Sequence, residues 1–259
     1  MAKQHIFTRM IPEQDEPALY INPRSEQLAA FADEAVTVED QPKVRLLADP
    51  GELKDAFYSF LTASKTAELI RRDQLSIRTL REPVQNTIFT TESEAVVPVM
   101  DNHSISSSDP ELVSSVYGEF DSRFEAAEQY HLRTPALSIV EQTLREKIGD
   151  DVADELNEVL AHAEEISSSN EYLSIVEIML ILAARNEVLL YDISKWGEDT
   201  GIASKATFSR AKTALEDAGL IETEKVPPEI GRPRLRLLAT DELATADLKT
   251  LSTEIRSPL

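Results

Sequence analysis

Basic and hydroxyl-bearing side chains are concentrated on one face of a predicted helix at residues 204–218. Phe208 and Leu215 recur at helical spacing and would face a core, so the opposite face would present small and polar groups. These groups are Lys205, Ala206, Ser209, Arg210, Lys212 and Thr213. An arginine can pair bidentately with guanine, and a hydroxyl can bond a base edge or a phosphate. The chemistry that this face offers is the binding of double-stranded DNA.

A second helix and a tight turn would hold this face in place. Residues 192–200 carry apolar side chains at helical spacing, and Gly201 supplies a turn. Ser204 is a good N-cap because its hydroxyl can accept from the free amides of the first helical turn. Gly219 follows the second helix, where a left-handed C-cap residue costs least. This order predicts a helix-turn-helix whose recognition helix, residues 204–218, presents its first half to the major groove.

A β-hairpin with a basic tip is predicted directly after the recognition helix. Residues 220–226 and 235–238 have the pattern of its strands, and residues 227–234 form the wing between them. Arg232 and Arg234 lie at the tip, which typically runs along phosphate or in the minor groove. The predicted fold of the C-terminal part is therefore a winged helix-turn-helix.

The charge of this region differs from that of the whole chain. Residues 203–236 contain seven Lys or Arg and five Asp or Glu, whereas the chain contains 26 and 47, for a net charge of −21. A local positive patch on so acidic a chain favours DNA binding. The alternative is a winged helix that serves as a protein-interaction or scaffold module of the transcription apparatus, without base-specific DNA binding. Basic groups at both the helix and the wing tip favour the first interpretation.

The segment YDISKWGEDTGIASKATFSRAKTALEDAGLIETEKVPPEIGRPRLRL resembles the C-terminal region of the haloarchaeal TbsP-type transcriptional regulators. The resemblance continues upstream in VRLLADPGELKDAFYSFLTASKTAELI and LRTPALS, so it covers most of residues 43–238. It implies a DNA-binding regulator that works in a salt-rich cytoplasm, and it implies no particular ligand. The DNA contacts that it implies are Lys205, Thr207, Ser209 and Arg210 in the helix, with Arg232 and Arg234 in the wing.

The composition limits the remaining chemistry. A chain of 259 residues suits two domains, and the lack of cysteine excludes disulfides, thiolate nucleophiles and cysteine-based zinc sites. The N-terminus lacks an apolar signal region and the most apolar run is half a membrane span, so we expect a cytoplasmic protein without membrane contact. The acid excess indicates a halophilic protein that is kept soluble in concentrated salt. At 1 M salt the Debye length is about 3 Å, so the surface carboxylates would repel DNA only at contact distance.

The N-terminal half predicts an α/β fold. Residues 1–42 form a poorly patterned leader with one helix, and residues 43–134 form a βαββ-type α/β domain with a covering helix. The predicted elements are strands at residues 44–48 and 75–80, a helix at 50–70, a hairpin of strands 87–90 and 95–100, and a helix from residue 109 to about 130. We expect a sensor or dimerisation module, with a possible small-molecule effector near residues 48–50 and 79–81.

The C-terminal half divides into linking helices, the winged domain and a final helix, at residues 135–170, 171–240 and 241–259. The linking region contains two acidic amphipathic helices, residues 137–148 and 151–166. The first helix of the winged domain, residues 172–187, is apolar on nearly every face and must be buried on all sides. Either the linking helices or a second subunit would cover its outer side, and we expect a homodimer.

No constellation of residues predicts an enzyme. The seven glycines stand singly and form no phosphate-cradling loop of either the Walker or the dinucleotide type. The histidines lack the i, i+4 spacing of a helical metal site, and they are His5, His103, His131 and His162. We therefore expect a protein without catalytic residues, metal or other cofactor.

The acid excess is uneven along the sequence. Residues 1–170 carry 15 basic and 32 acidic groups, whereas residues 171–240 carry 9 and 11. In dilute buffer, where the Debye length reaches about 30 Å at 0.01 M, charges of one sign repel one another across a whole domain. We therefore expect the N-terminal part to loosen before the winged helix when salt is removed.

Overall fold

The computed structural model describes residues 16–39, 41–82, 84–100, 103–163, 173–227 and 233–248. The chain forms two compact units, Met1–Leu137 and Ser138–Leu259. Parts of the sequence prediction lie outside the described residues, among them the start of the leader with His5, the end of the second linking helix, the tip of the wing and the later part of the final helix. Over the ranges described, no helix is both long and apolar enough to cross a membrane.

The N-terminal unit is a six-stranded mixed sheet with helices on both faces. In chain order, the strands are β1 (Ala18–Ile21), β2 (Val44–Ala48), β3 (Leu75–Thr79), β4 (Ile88–Thr90), β5 (Ala95–Met100) and β6 (His103–Ser107). Their order across the sheet is β3-β2-β1-β4-β5-β6. Its helices are α1 (Ser25–Ala35), α2 (Pro50–Ala56), α3 (Phe60–Arg71) and α4 (Pro110–Ala126). The first three strands are parallel and the last three antiparallel. The mixed α/β fold and the β4–β5 hairpin confirm the sequence prediction.

The prediction of a separate leader at residues 1–42 is wrong for the described part of that segment. β1 lies in the middle of the sheet, parallel to β2 and antiparallel to β4, and all of its residues are buried. Its side chains alternate between two apolar clusters, one containing Phe31 of α1 and the other containing Phe124 of α4. A strand buried on both faces has a continuous apolar run without alternation, so its sequence lacks the usual strand pattern.

Two further elements differ from the sequence prediction. The helix predicted at residues 50–70 is two helices, because α2 ends at Ala56 and the Ser59 hydroxyl caps α3 by accepting from the Thr62 amide at 3.3 Å. One apolar stripe runs through both helices, so periodicity alone does not show the break. β6 was not predicted, since its histidine and serine side chains have little of the β-branched or aromatic character that marks strands.

The C-terminal unit contains helices and a two-stranded wing. Its elements are α5 (Leu137–Lys147), α6 (Asp150–Ala163), α7 (Ile175–Arg185), α8 (Leu190–Thr200), α9 (Lys205–Asp217), β7 (Ile221–Val226), β8 (Arg234–Ala239) and α10 (Asp241–Thr245). The order of α8, α9 and the hairpin β7–β8 is that of the predicted winged helix-turn-helix. Ser174 begins α7 with a capping box, in which the Ser174 amide donates to the Glu177 carboxylate at 2.7 Å.

The helices predicted as a linking region belong to this unit. Trp196 of α8 donates from Nε1 to the Thr143 hydroxyl of α5 at 3.0 Å, and Asn186 donates to the Glu155 carboxylate of α6 at 3.0 Å. α7 packs against α6, α8, α9 and both strands of the wing, so its apolar circumference is almost wholly buried within one chain. The linking helices therefore account for the pattern of α7, which gives no support to a dimer.

Candidate nucleic-acid interface

Two helices that meet at close range carry the candidate interface. α8 ends at Gly201, whose φ of 82° lies in the left-handed region that glycine adopts without strain. Ser204 caps α9 by accepting from the Thr207 amide at 3.2 Å. The helices touch at Gly197, where a Cβ atom would lie only 2.3 Å from the Phe208 ring. The absence of a side chain at Gly197 therefore permits the packing that orients α9.

The outer face of α9 is exposed, and most of the residues predicted for it lie there. Phe208 and Leu215 are fully buried and attach the helix to the core of the unit. The exposed residues are Lys205, Ala206, Ser209, Arg210 and Thr213. Thr207 is half-buried, and its hydroxyl accepts from the Arg210 guanidinium at 3.4 Å. Within the described part of the chain, no carboxylate pairs with Arg210, so its charge is available to a partner.

Lys212 occupies a different position from the other predicted contacts. Its side chain is only 14% exposed and forms an ion pair with Glu216 at 2.5 Å. Glu216 also accepts from the Thr223 hydroxyl of β7 at 2.7 Å. Burial raises the pKa of Glu216, but the bonds from Lys212 and Thr223 outweigh burial and hold that pKa below its ordinary value. Lys212 therefore helps to join α9 to the wing, because its place at the side of the helix faces β7.

The wing is held to the rest of the unit at its second strand. β8 pairs with β7 along its whole length and also with the segment before α8, where the Leu237 amide donates to the Val188 carbonyl at 3.0 Å. Arg234 begins β8 with half of its side chain exposed. Arg232 and the rest of the tip, residues 228–232, lie outside the described residues.

A cleft of about 400 Å³ lies between α8, α9 and the base of the wing. It is lined by Leu190, Tyr191 and Ser194 of α8, Lys205 and Ser209 of α9, and Pro233, Arg234 and Leu235 of the wing. The Arg234 guanidinium lies over the Tyr191 ring, 4.8 Å from its centre, in a cation–π contact. The cleft therefore connects the exposed face of α9 with the wing.

Carboxylates of α8 pair with the cations around the cleft. Lys205 Nζ lies 2.8 Å from Glu198, and an Nη atom of Arg234 lies 3.8 Å from Asp192. The hydrogen bond from Lys205 holds the pKa of Glu198 below its ordinary value, and the same bond raises the pKa of Lys205. Both groups are therefore charged near neutral pH. In the free protein the interface is less positive than its count of lysines and arginines indicates.

Sequence reasoning missed three features of this region. Gly197 was not singled out, although a glycine inside a predicted helix can mark the close approach of a neighbouring element. Tyr191 was not predicted because its partner Arg234 is distant in sequence. Glu198 has the sequence context of an ordinary solvated carboxylate, and only the fold brings it to Lys205.

The predicted effector site in the N-terminal unit has its polar groups bonded to the chain itself. The Asp49 carboxylate caps α2 by accepting from the Gly51 amide at 2.7 Å, and the Arg81 guanidinium donates to the Glu128 carboxylate at 2.8 Å. No group of three or more His, Asp or Glu side chains among the described residues could hold a metal ion. These bonds fix the loops at the strand ends, and an effector there stays a prediction.

Comparison with known proteins finds two family matches that together span nearly the whole chain. The family described as transcriptional regulator TbsP-like, N-terminal, matches residues 1–135, and that described as transcriptional regulator TbsP-like, C-terminal HTH domain, matches residues 136–256. No curated protein matches the chain. Among solved structures, TrmBL2, described as an archaeal chromatin protein with a novel mode of DNA binding, is 17% identical with a TM-score of 0.37. That match covers 48% of this chain and 49% of TrmBL2.

Proposed function

Because the chain belongs to the TbsP-like family of transcriptional regulators, we propose that it regulates transcription by binding specific sequences of double-stranded DNA. The observation that carries the proposal is the exposed face of α9, which holds polar side chains and the available guanidinium of Arg210. A helix of this kind enters the major groove with its first turns against base edges. Ser204 and Gly201 position those first turns by capping α9 and ending α8.

The predicted contact residues of α9 have different roles in the proposal. Arg210 pairs bidentately with a guanine, while Ser209 and Thr213 bond base edges or phosphates. Lys205 lies in the first turn and meets phosphate. Thr207 supports the first turn through its bond with the Ser204 cap, so we assign it to positioning as well as contact. Lys212 is assigned to the fold, since Glu216 already holds it.

The wing supplies contacts that carry little sequence information. Arg234 and Arg232 would lie along the DNA backbone or in the minor groove, where contacts to phosphate and sugar fix register. Arg234 is half exposed at the mouth of the cleft, which supports this role. The wing therefore adds affinity for DNA of any sequence, whereas α9 adds the preference for particular base sequences.

The alternative is a winged helix that contacts only protein and serves as a scaffold of the transcription apparatus. The pairing of Lys205 with Glu198 and of Arg234 with Asp192 favours this alternative, since it reduces the positive charge of the surface. Sequencing the genomic DNA recovered with the chain from cells separates the two. Sequence-specific DNA binding predicts discrete peaks that share a motif, whereas a flat profile across the genome contradicts sequence-specific binding.

We also propose that the regulator is a homodimer joined at the open edge of the N-terminal sheet. The β3 edge is covered by the chain, because the Tyr130 amide donates to the Ile77 carbonyl at 2.9 Å. β6 lies at the other edge and pairs with β5 alone among the described strands. Its residues include no Asp, Glu, Lys or Arg, although these four types make up 28% of the chain. Two copies can therefore meet there as antiparallel neighbours without bringing carboxylates of the two strands into contact.

Exposed apolar side chains support the same surface and provide the test. Val99 is 52% exposed and Ile105 is 68% exposed on this hairpin. Sedimentation in concentrated salt should show a dimer for the native chain and a monomer for Ile105→Lys. Tyr58→Lys is the matched control, because Tyr58 is 94% exposed on the loop between α2 and α3. A native chain that is monomeric at micromolar concentration, or an Ile105→Lys variant that stays dimeric, contradicts this interface.

The proposal places the regulator in a salt-rich cytoplasm. The 47 acidic residues against 26 basic ones support this, because carboxylates hold water and cations that keep a protein soluble in concentrated salt. A small-molecule effector of the N-terminal unit is part of the proposal without a stated chemistry, since no side chain in the described part of that unit indicates one.

A further inference from the structure

The cleft beside α9 has the donors that an oxyanion needs, and it is bounded by carboxylates. Lys205, Arg234 and Ser209 offer an ammonium, a guanidinium and a hydroxyl, and the Tyr191 ring packs against the guanidinium. Leu190 and Leu235 add an apolar wall. A DNA phosphate carries one negative charge and accepts from several donors at once, so it matches this set.

The two cations of the cleft are held by side chains that can be exchanged. Lys205 and Glu198 are 44% and 46% exposed, and Arg234 and Asp192 are 50% and 44% exposed. Ion pairs at this exposure are weak, because water screens them and their side chains pay entropy to stay in one geometry. Another anion can therefore displace each carboxylate from its cation.

We propose that the cleft receives a phosphate of the DNA backbone, which displaces Glu198 from Lys205 and Asp192 from Arg234, and that the two released carboxylates then take up cations from solution. This inference rests on the proposed DNA binding, and it assigns to the acidic residues of α8 a part in how that binding responds to salt. At this phosphate site, the carboxylates of Glu198 and Asp192 compete with the phosphate for the two cations.

The consequence is a shallow dependence of DNA affinity on salt. Each phosphate neutralised by a protein cation releases about 0.9 cations, so affinity ordinarily falls steeply as salt rises. Two carboxylates that each take up as much as one cation offset the release at two such contacts. The native chain therefore keeps its DNA affinity in concentrated salt, where a protein with unpaired cations would lose it.

The test is a double variant, Asp192→Asn with Glu198→Gln, which removes the competitors but keeps their shape. Binding to the duplex that the native chain enriches most from a random pool is measured along a potassium chloride series. The series covers only the salt range in which circular dichroism of each protein is constant. The double variant should bind more tightly at the low end, and its slope of log affinity against log salt should be more negative by up to about two units.

Matched controls separate exchange from general charge. Asp241→Asn with Glu242→Gln removes the same two charges from α10 of the same unit, and it should leave the slope of the native chain unchanged. Lys205→Gln with Arg234→Gln removes the cations and should lower affinity at the low end of the series. The inference is overturned if the double variant keeps the native slope, or if the α10 control steepens the slope equally.

Failure of the inference and failure of the proposed function give different results. If the native chain enriches no duplex from the pool, the proposed sequence-specific binding is wrong, and the inference that rests on it is overturned too. If the native chain enriches a duplex but the two slopes coincide, DNA binding stands and the exchange of phosphate for carboxylate is wrong.

Discussion

The two units hold their cations in different ways. In the N-terminal unit, the Arg45 side chain is 15% exposed, bonds to two carboxylates of α4, and lies 4.4 Å from the centre of the Phe124 ring. In the C-terminal unit, the Lys205 side chain is 44% exposed and bonds to Glu198 of the neighbouring helix. Arg45 therefore ties a strand to a helix, whereas Lys205 stays within reach of solvent.

This difference shows which charges serve the fold and which are free to serve a partner. A shielded cation with several partners contributes to stability, because its bonds are little weakened by water. An exposed ion pair contributes little and can be replaced by another anion. A count of basic residues does not separate the two kinds, and their exposure does.

Removing salt should have the largest effect, and it should act on both units together. Met1–Leu137 contains 13 basic and 23 acidic residues, a net charge of −10, and Ser138–Leu259 contains 13 and 24, a net charge of −11. The expectation that the N-terminal part loosens first assumed that residues 138–170, with 2 basic and 9 acidic groups, belong to it. They lie in the C-terminal unit, so that expectation is replaced.

A potassium chloride series checks this prediction. Trp196 is the single tryptophan and is buried, so its fluorescence reports the C-terminal unit, whereas far-ultraviolet circular dichroism reports both. At a Debye length of about 30 Å near 0.01 M salt, both units should have loosened, with coinciding midpoints. Two well-separated midpoints would show that the even division of charge does not control stability.

Gly197→Ala should have the next largest effect and should act only on the C-terminal unit. Its Cβ would lie 2.3 Å from the buried Phe208 ring, so one of the two helices must shift at a cost of about 2 kcal/mol. Thermal unfolding followed by Trp196 fluorescence measures the loss in the C-terminal unit, and far-ultraviolet circular dichroism follows the control in the N-terminal unit. Gly118→Ala in α4 is the matched control, because open space surrounds that position and the change should stabilise by roughly 0.5–1 kcal/mol. Equal effects of the two changes would contradict the contact.

Arg45→Met should destabilise the N-terminal unit by about 1–2 kcal/mol, because it removes charged hydrogen bonds while leaving their carboxylates near water. Its DNA affinity should stay within about twofold of the native value, as for a residue away from the interface. Unfolding by heat and DNA binding are measured on the same preparation. Lys54→Met, at an exposed site on α2, is the control and should be silent. If Arg45→Met lost DNA affinity without losing stability, Arg45 would be a DNA-binding residue and not a stabilising one.

Lys205→Gln should show the smallest change in stability and the opposite pattern to Arg45→Met. The unfolding midpoint of Trp196 fluorescence should not move, because the Lys205–Glu198 pair is exposed on both sides. Affinity should fall for all DNA sequences about equally, since the contact is to phosphate. A fall in the unfolding midpoint as large as that of Arg45→Met would remove the contrast between the two kinds of cation.

Local signals made the winged helix predictable from the sequence. Gly201 and Ser204 act within one helical turn of their own positions, so their effect can be inferred from the residues next to them in the sequence. β1 could not be found in the same way. Its place in the middle of the sheet depends on pairing with β2 and β4, and a strand buried on both faces shows no alternation.

The candidate interface was predicted in outline but not in its electrostatics. Helical geometry gives the face on which Ser209 and Arg210 lie, and the structure exposes both. The same geometry left Lys212 at the edge of the face, and only the position of the wing shows that it turns toward Glu216. The pairing of Lys205 with Glu198 depends on the distance between two helices, which no periodicity contains.

The most direct test of the account compares the DNA motifs of the native chain and Arg210→Ala, each obtained by sequencing duplexes bound from a random pool. We predict that the native chain enriches one motif, and that Arg210→Ala loses preference at one base position at a cost of about 1–3 kcal/mol. Arg234→Ala should keep the native motif while binding every duplex more weakly. Base recognition by α9 would be contradicted if the native chain and Arg210→Ala gave identical motifs, or if the native chain gave no motif.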